Sequence, residues 1–433
     1  MTIYRWTVLV TVLWCFLPAA VDVTILNIAV PALTAEMRLT AGEILWIVDV
    51  YSLTMIGLVL VTGPLGDRIG HKRLLVIGLW VFGVASGLSA FARTPAELIA
   101  GRVAVAIGAA MIIPATLAII RQTFHAGRSH SVAIGAWSAV AAGASALGPV
   151  AGGLLLNHFW WGSIFLVNVP IVAIALPVVG FLLKNEVSET KQPWEATSPA
   201  LAIVGSLGIA YAIIALPHGH AVEIVGSGLI GVIAAVIFVR RQQRLPHPML
   251  DVSLFRRPRF RTGAVASTLP VLVMVGFELQ LVQYLQLTLD KSPRDAAFAL
   301  LPMPLAALIA APLTGLVVSR IGSRAGIFAG LVVAAIGYVV VADGPLLGVG
   351  LALVGAGHGA VQMIASDLIM TGAGAEQAGA AAGVESVSFE AGAGLGVALI
   401  GTFVAFTGSF QAVAIVCAVL IGATITVALP RRD

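Results

Sequence analysis

Five carboxylic acids interrupt stretches of this chain that are otherwise apolar: Asp22, Asp49, Glu278, Glu385 and Glu390. Only one basic residue, Arg102, does the same. Asp22 lies in the hydrophobic segment Trp6–Pro31. At 1.5 Å of rise per residue it is roughly 14 Å from the Pro31 end, near the middle of a bilayer. A charge at that depth costs about 2.5–3.5 kcal/mol on insertion scales, so it needs a water-filled cavity, a partner or a proton. One arginine cannot neutralise five acids. The surplus can take up and release protons or pair with a cation, which is the chemistry of transport. Aromatic residues stand beside the acids. Trp46 precedes Asp49 by three residues, on the same helical face; Phe277 adjoins Glu278 and Phe389 adjoins Glu390. Rings can replace the hydration of a lipophilic organic cation while a carboxylate supplies the counter-charge. Neighbours in a helix point about 100° apart, so Phe277 need not share the face of Glu278.

The elements that must hold such groups are transmembrane helices. Charged residues are 10% of the chain and apolar residues 59%, against roughly 25% charged in soluble domains. Fourteen spans are expected: Trp6–Pro31, Ile44–Gly63, Leu74–Phe91, Leu98–Ile120, Val132–Leu156, Ile164–Leu183, then two near Ser198–Leu216 and Ile224–Val239, then six near Ala264–Leu287, Ala296–Val318, Ala325–Val341, Leu346–Met370, Gly379–Phe406 and Phe410–Leu429. Lys and Arg set the orientation. One set of alternate loops carries Arg5, Arg68, Lys72, Arg73, Arg121, Arg128, Lys184, Lys191, seven arginines from Arg240 to Arg261, Arg320, Arg324, Arg431 and Arg432. The opposite loops carry only Arg38, Arg93, Lys291 and Arg294. Both termini are therefore expected in the cytoplasm, with an even number of spans.

An internal repeat is legible. Gly63-Pro-Leu-Gly-Asp67-Arg68-Ile-Gly70 precedes the third span, and Gly315-Leu-Val-Val-Ser319-Arg320-Ile-Gly322 precedes the eleventh. Two copies in equivalent loops point to a duplicated bundle, a construction common in secondary transporters. The expected domains are residues 1–184, a six-helix bundle; 185–261, two linking transmembrane helices; and 262–433, a second six-helix bundle. The fold class is an all-α polytopic membrane protein.

Other chemistries find no support. The chain has no Gly-rich Lys-Ser/Thr loop to cradle a nucleotide phosphate. Its formal charge of +4 resides in short loops and does not form a nucleic-acid-binding face. The two cysteines, Cys15 and Cys417, lie in apolar spans and suggest neither a disulfide nor a metal. His218 and His220 share a loop at a spacing that points only weakly to a metal, and His358 reads as a packing residue among glycines. Asp367 lies near the end of the twelfth span, within reach of the surface. No cofactor, metal, nucleotide or nucleic acid is expected, and the first hydrophobic stretch is too long for a signal-peptide core.

Three motifs carry more. Gly63, Gly66 and Gly70 allow a tight turn between helices, and Asp67 with Arg68, Lys72 and Arg73 makes a charged latch. This loop resembles the signature between the second and third helices of the major facilitator superfamily, with His71 in place of the usual first basic residue. The resemblance implies a conformational gate formed by Gly63, Asp67, Arg68, Gly70 and Lys72, with Arg320 from the second copy. In the fifth span, Gly143, Gly148, Pro149, Gly152 and Gly153 permit close helix crossing and a bend. They are similar to the antiporter signature of drug exporters in that superfamily. Arg102 matches the arginine of its fourth-helix motif, which the resemblance links to proton coupling; Val105 and Ala106 depart from the usual Gln-Gly.

Leu45-Trp46-Ile47-Val48-Asp49-Val50-Tyr51-Ser52-Leu53 closely resembles the second helix of the Qac/Smv-type antiseptic exporters, which are fourteen-span drug:proton antiporters. The run from Asp22 to Pro31 and the segment Val384-Glu385-Ser386-Val387-Ser388-Phe389-Glu390 resemble that family too. The resemblance implies the major facilitator fold and proton-coupled export of lipophilic cations, quaternary ammonium compounds and dyes, by alternating access. The resemblance links Asp22, Asp49 and Arg102 to proton coupling, and the reading of intramembrane acids adds Glu278. The resemblance places Asp22, Asp49, Glu385 and Glu390 near the substrate, and the reading of acids with adjacent rings adds Trp46, Glu278 and Phe389. A narrow-range exporter of one antibiotic or metabolite is the alternative, and a non-transporting receptor on the same fold is a third. The expected setting is the bacterial inner membrane, with lipid, protons and organic cations as partners of a monomer.

Overall fold

The structure, a computed structural model, describes residues 2–124, 128–185, 197–217, 219–246, 248–373 and 378–428. Lys191, His218, Arg431 and Arg432 lie outside the described residues. Within them the backbone is helix joined by short turns, with no strand. A bilayer interior offers no water to satisfy backbone amides, and a helix satisfies them within itself. Thirteen spans among the described residues are long and apolar enough to cross a membrane, and a shorter apolar helix, Phe410–Thr426, occupies the fourteenth expected place.

The first unit comprises Met1–Pro199 and Ser292–Asp295. It holds α1 (Thr2–Met37), α2 (Ala41–Ile69), α3 (His71–Ser89), α4 (Pro95–Thr123), α5 (Arg128–His158), a short α6 (Ser163–Leu166) and α7 (Asn168–Leu182). Local sequence starts these helices. The Thr40 hydroxyl accepts from the Glu43 amide at 3.3 Å, while Glu43 Oε2 accepts from the Thr40 amide at 2.8 Å, a reciprocal cap on α2. The Thr94 hydroxyl likewise accepts from the Glu97 amide at 3.2 Å to cap α4, Glu97 Oε2 accepts from the Arg93 amide at 2.7 Å, and Pro95 supplies the first residue. Helices α3 and α4 cross at glycines: a Cβ on Gly78 would lie 3.0 Å from the Gly108 carbonyl.

The second unit comprises Ala200–Lys291 and Ala296–Asp433. It includes most of α8 (Thr197–Ile214), then α9 (Ala221–Gln242), α10 (Pro258–Gln283), most of α11 (Pro293–Leu300), α12 (Pro302–Ile321), α13 (Ser323–Asp343), α14 (Leu347–Ala373), α15 (Ala378–Thr407) and α16 (Phe410–Ala428). Its α13–α14 crossing repeats the α3–α4 one, since a Cβ on Gly330 would lie 3.1 Å from the Gly357 carbonyl. The two linking helices α8 and α9 meet at Gly208 and Gly231, and the Thr402 hydroxyl of α15 donates to the Ile213 carbonyl at 3.2 Å.

The sequence repeat is a repeat of backbone geometry. Gly70 has φ +93° and Gly322 φ +83°, values that suit glycine. Each glycine amide bonds the carbonyl four residues back, on Gly66 and Val318, at 2.8 Å; each glycine carbonyl accepts from the amide four residues on, at 3.1 Å.

Candidate functional site

Arg102 enters from the second turn of α4 and is 2% exposed, yet it is the largest fully enclosed side chain in the chain's described core. Its Nη1 pairs with Asp22 Oδ2 of α1. Its Nε donates to the Ile47 carbonyl of α2 at 3.4 Å, and its guanidinium carbon lies 4.8 Å from the centre of the Tyr51 ring. Ile47 and Tyr51 are four residues apart, so they share one face of α2. Three helices thus meet on one guanidinium, with a carboxylate and an aromatic face to satisfy it. Asp22 Oδ1 has no hydrogen-bond partner among the described residues.

Asp49 stands on the other side of that helix. Two residues along from Ile47 rotate it by about 200°, away from the face that carries Arg102. It is 1% exposed, and neither of its carboxyl oxygens has a hydrogen-bond partner among the described residues. Asn27 Oδ1 of α1 is likewise buried without one. The expectation of more acid than base therefore takes a definite form in the first unit. Asp22 is compensated by arginine; Asp49 has no hydrogen-bonded counter-charge among the described residues.

The glycine motif of α5 seats that helix on α1 next to Asp22. A Cβ on Gly148 would overlap the Thr24 hydroxyl and lie 3.1 Å from the Ile25 amide nitrogen; one on Gly152 would meet the Ile28 side chain at 2.5 Å. Thr24 also donates to the Ala144 carbonyl at 3.3 Å. Pro149 and Gly153 are buried. Gly143 does not share the role, because a Cβ there would meet nothing within 4 Å.

At the α2–α3 junction Asp67 pairs with His71, Nε2 to Oδ1 at 3.2 Å, whereas Lys72 Nζ donates to the Gly180 carbonyl of α7 at 2.7 Å. Of the groups expected in the latch with Asp67, which were Arg68, Lys72 and Arg73, Lys72 is turned to another helix, and Asp67 also meets His71. Gly66 makes room for His71, whose ring Cε1 would stand 2.6 Å from a Cβ at that position. Gly63 has no such neighbour, so close approach is not what it provides here. In the second copy Arg320 is exposed, and the Ser319 hydroxyl donates to the Leu316 carbonyl of its own helix, at 3.2 Å.

In the second unit Glu278 is 7% and Glu390 9% exposed. Glu385 is half-buried. Phe389 is half-buried, as is Trp46 in the first unit. Phe277 faces the core: its ring stands edge-on to Tyr338 at 4.9 Å and lies 5.7 Å from Phe410. His358 is more than a packing residue, since its Nε2 and the Tyr338 hydroxyl form a buried hydrogen bond of 2.9 Å. Tyr338 and Tyr51 were missed by sequence reasoning because a tyrosine in an apolar helix gives no local sign of a polar partner. Cys15 and Cys417 are free and buried.

The chain matches the sequence family described as Major Facilitator Superfamily over residues 12–396. It is similar to the methyl viologen resistance protein SmvA of Salmonella typhimurium, 37% identical over 406 residues that cover 92% of this chain and 82% of that protein. It is also similar to the multidrug efflux pump LfrA of Mycolicibacterium smegmatis, 34% identical over 409 residues, 93% of this chain and 81% of that one. The tetracenomycin C resistance and export protein of Streptomyces glaucescens is 28% identical, over 92% of this chain and 76% of that one. Among solved structures, a variant of the peptide transporter POT in complex with sulfate has a TM-score of 0.72 at 18% identity, covering 98% of this chain and 94% of that one, a likeness of fold.

Proposed function

The chain belongs to the major facilitator superfamily, a multi-pass membrane transporter and not an enzyme, and from that premise we propose that it exports drugs, specifically lipophilic organic cations, in exchange for protons. The observation that carries this reading is Asp49, a carboxyl group enclosed at 1% exposure with neither oxygen partnered. Asp22 already has Arg102, so its charge is balanced without a passenger. Asp49 has no such balance, and a proton and an organic cation compete for it. That competition is the coupling: binding of one requires loss of the other. Each elementary charge crossing the membrane is worth about 2.3 kcal/mol per 100 mV, so entry of more proton charge than drug charge leaving concentrates drug outside.

In this reading Asp22 and Arg102 tie α1, α2 and α4 together on the face of α2 opposite the exchanging group, and Glu278 is a second proton-coupling acid. Trp46, Glu385, Phe389 and Glu390 contact the passenger. The α2–α3 junction, with Gly63, Asp67, Arg68, Gly70 and Lys72, together with Arg320, forms a gate at the cytoplasmic face. Gly148, Pro149, Gly152 and Gly153 hold α5 against α1. The protein works as a monomer by alternating access in the bacterial inner membrane, with both termini in the cytoplasm.

The test is efflux of an ethidium-like dye from liposomes under an imposed pH gradient. Asp49→Asn is expected to abolish gradient-driven efflux and dye-induced proton release while leaving the protein inserted. Full activity of Asp49→Asn refutes the assignment. A narrow-range exporter on the same fold is favoured by relatives named for one compound, among them the tetracenomycin C protein and a methylenomycin A resistance protein 30% identical over 415 residues. A resistance profile separates the two: several unrelated cations for the first reading, one scaffold for the second.

A further inference from the structure

We propose that Asn185 is the positioning residue of the α2–α3 gate, one side-chain amide that caps two helix ends at once; the inference rests on the gate role assigned to that loop above. Helix α2 ends at Ile69 and α3 begins at His71, with only Gly70 between them. A helix leaves its last carbonyls and its first amides without intrahelical partners. A serine or threonine at the N-cap supplies an oxygen to such an amide, but Gly70 has no side chain to offer.

Asn185, just beyond the end of α7, supplies it from outside. Its Oδ1 accepts from the Arg73 amide at 3.2 Å, the third residue of α3 and the position an N-cap oxygen would serve. Its Nδ2 donates to the Ile69 carbonyl at 3.1 Å, the final residue of α2. The amide stands in the space that a Cβ on Gly70 would fill. Lys72, donating to the Gly180 carbonyl, makes a second tie from the same junction to α7.

The second copy has the same turn at Gly322, where a Cβ would meet nothing within 4 Å among the described residues. The clamp lies in the copy that also carries the Asp67–His71 pair, where the second copy has Ser319 and Ser323. Its consequence is mechanical: the ends of α2, α3 and α7 move as one piece, and the charges of the loop ride on that piece instead of flexing at Gly70.

Hydrogen exchange of the full-length protein in nanodiscs reads the clamp directly. Asn185→Ala is expected to speed exchange of the Arg73 amide roughly 2- to 30-fold, the span a lost cap gives, with residues 322–326 unaffected. Asn185→Asp keeps the acceptor for Arg73 but loses the donor to Ile69, so Arg73 stays protected. In dye efflux, Asn185→Ala is expected to lower the maximal rate with the half-saturating concentration unchanged. Unchanged Arg73 exchange, or faster exchange with an unaltered maximal rate, overturns the proposal. Asp67→Asn separates it from its premise. A silent Asp67→Asn beside a slowed Asn185→Ala refutes the gate reading and not the clamp; a disabled Asp67→Asn beside a silent Asn185→Ala refutes the clamp alone.

Discussion

Replacing Arg102 by Met and Asp22 by Leu, singly and together, tests whether their contact is a buried ion pair. Both side chains are almost wholly enclosed, at 2% and 1% exposure, so either single change strands a charge that water cannot reach. Breaking such a pair from one side costs about 3–5 kcal/mol. The double variant strands neither charge. It loses only the contact of the guanidinium with the Tyr51 ring and its hydrogen bond to the Ile47 carbonyl, about 1–2 kcal/mol together. The Ile47 carbonyl still has its own helix to bond. The double variant should therefore be more stable than either single one, with a coupling energy of at least about 3 kcal/mol. Reversible unfolding in mixed micelles titrated with SDS, followed by tryptophan fluorescence, measures all four proteins. Single costs below about 1 kcal/mol, the value of an exposed pair, would refute the reasoning. So would single costs that add to the double within roughly 0.5 kcal/mol.

Gly148→Ala drives a methyl into Thr24 and the Ile25 backbone, and is expected to cost about 1–3 kcal/mol in the same titration, partly restored by Thr24→Ala. Gly143→Ala meets open space, and is expected to be neutral or to stabilise by up to about 1 kcal/mol through helix propensity. Tyr338→Phe removes the hydroxyl from the buried bond with His358, for an expected loss of about 1–3 kcal/mol that shrinks when His358 is also made apolar. Gly70→Ala and Gly322→Ala both place a side chain at positive φ, at about 1–2 kcal/mol each. Only Gly70→Ala also displaces Asn185, so it is expected to be the worse of the two in thermal stability by roughly one cap, about 1 kcal/mol.

The helices were legible because a bilayer imposes a length and a composition that any sequence must display. The caps at Thr40 and Thr94 place two helix starts at Ala41 and Pro95, three residues ahead of the spans expected from Ile44 and Leu98. The repeat was legible for the same local reason: Gly70 and Gly322 hold the chain at positive φ, which their neighbours cannot adopt cheaply. What lay out of reach were partnerships across the chain. Asp22 and Asp49 look alike in sequence, each a lone acid in an apolar run. Only the packing of α4 against α1 and α2 gives one of them an arginine 80 residues away and leaves the other bare. The glycines divide in the same way: a Cβ on Gly148 or Gly152 would run into α1, while one on Gly63 or Gly143 would meet nothing within 4 Å among the described residues. Asn185 showed no signal at all, since an asparagine after a helix is ordinary until the loop it serves, 112 residues away, comes to it.

By itself, then, the order of residues determined the solvent this chain lives in, the apolar helices that cross it, the repeated glycine turn, and the surplus of acid over base inside those helices. Those are properties of single helices and of sums along the chain. The tertiary structure decided which acid that surplus falls on and which turn is clamped. Both depend on side chains from separate helices arriving within about 3 Å of one another, a distance at which hydrogen bonding chooses partners and which no local pattern encodes.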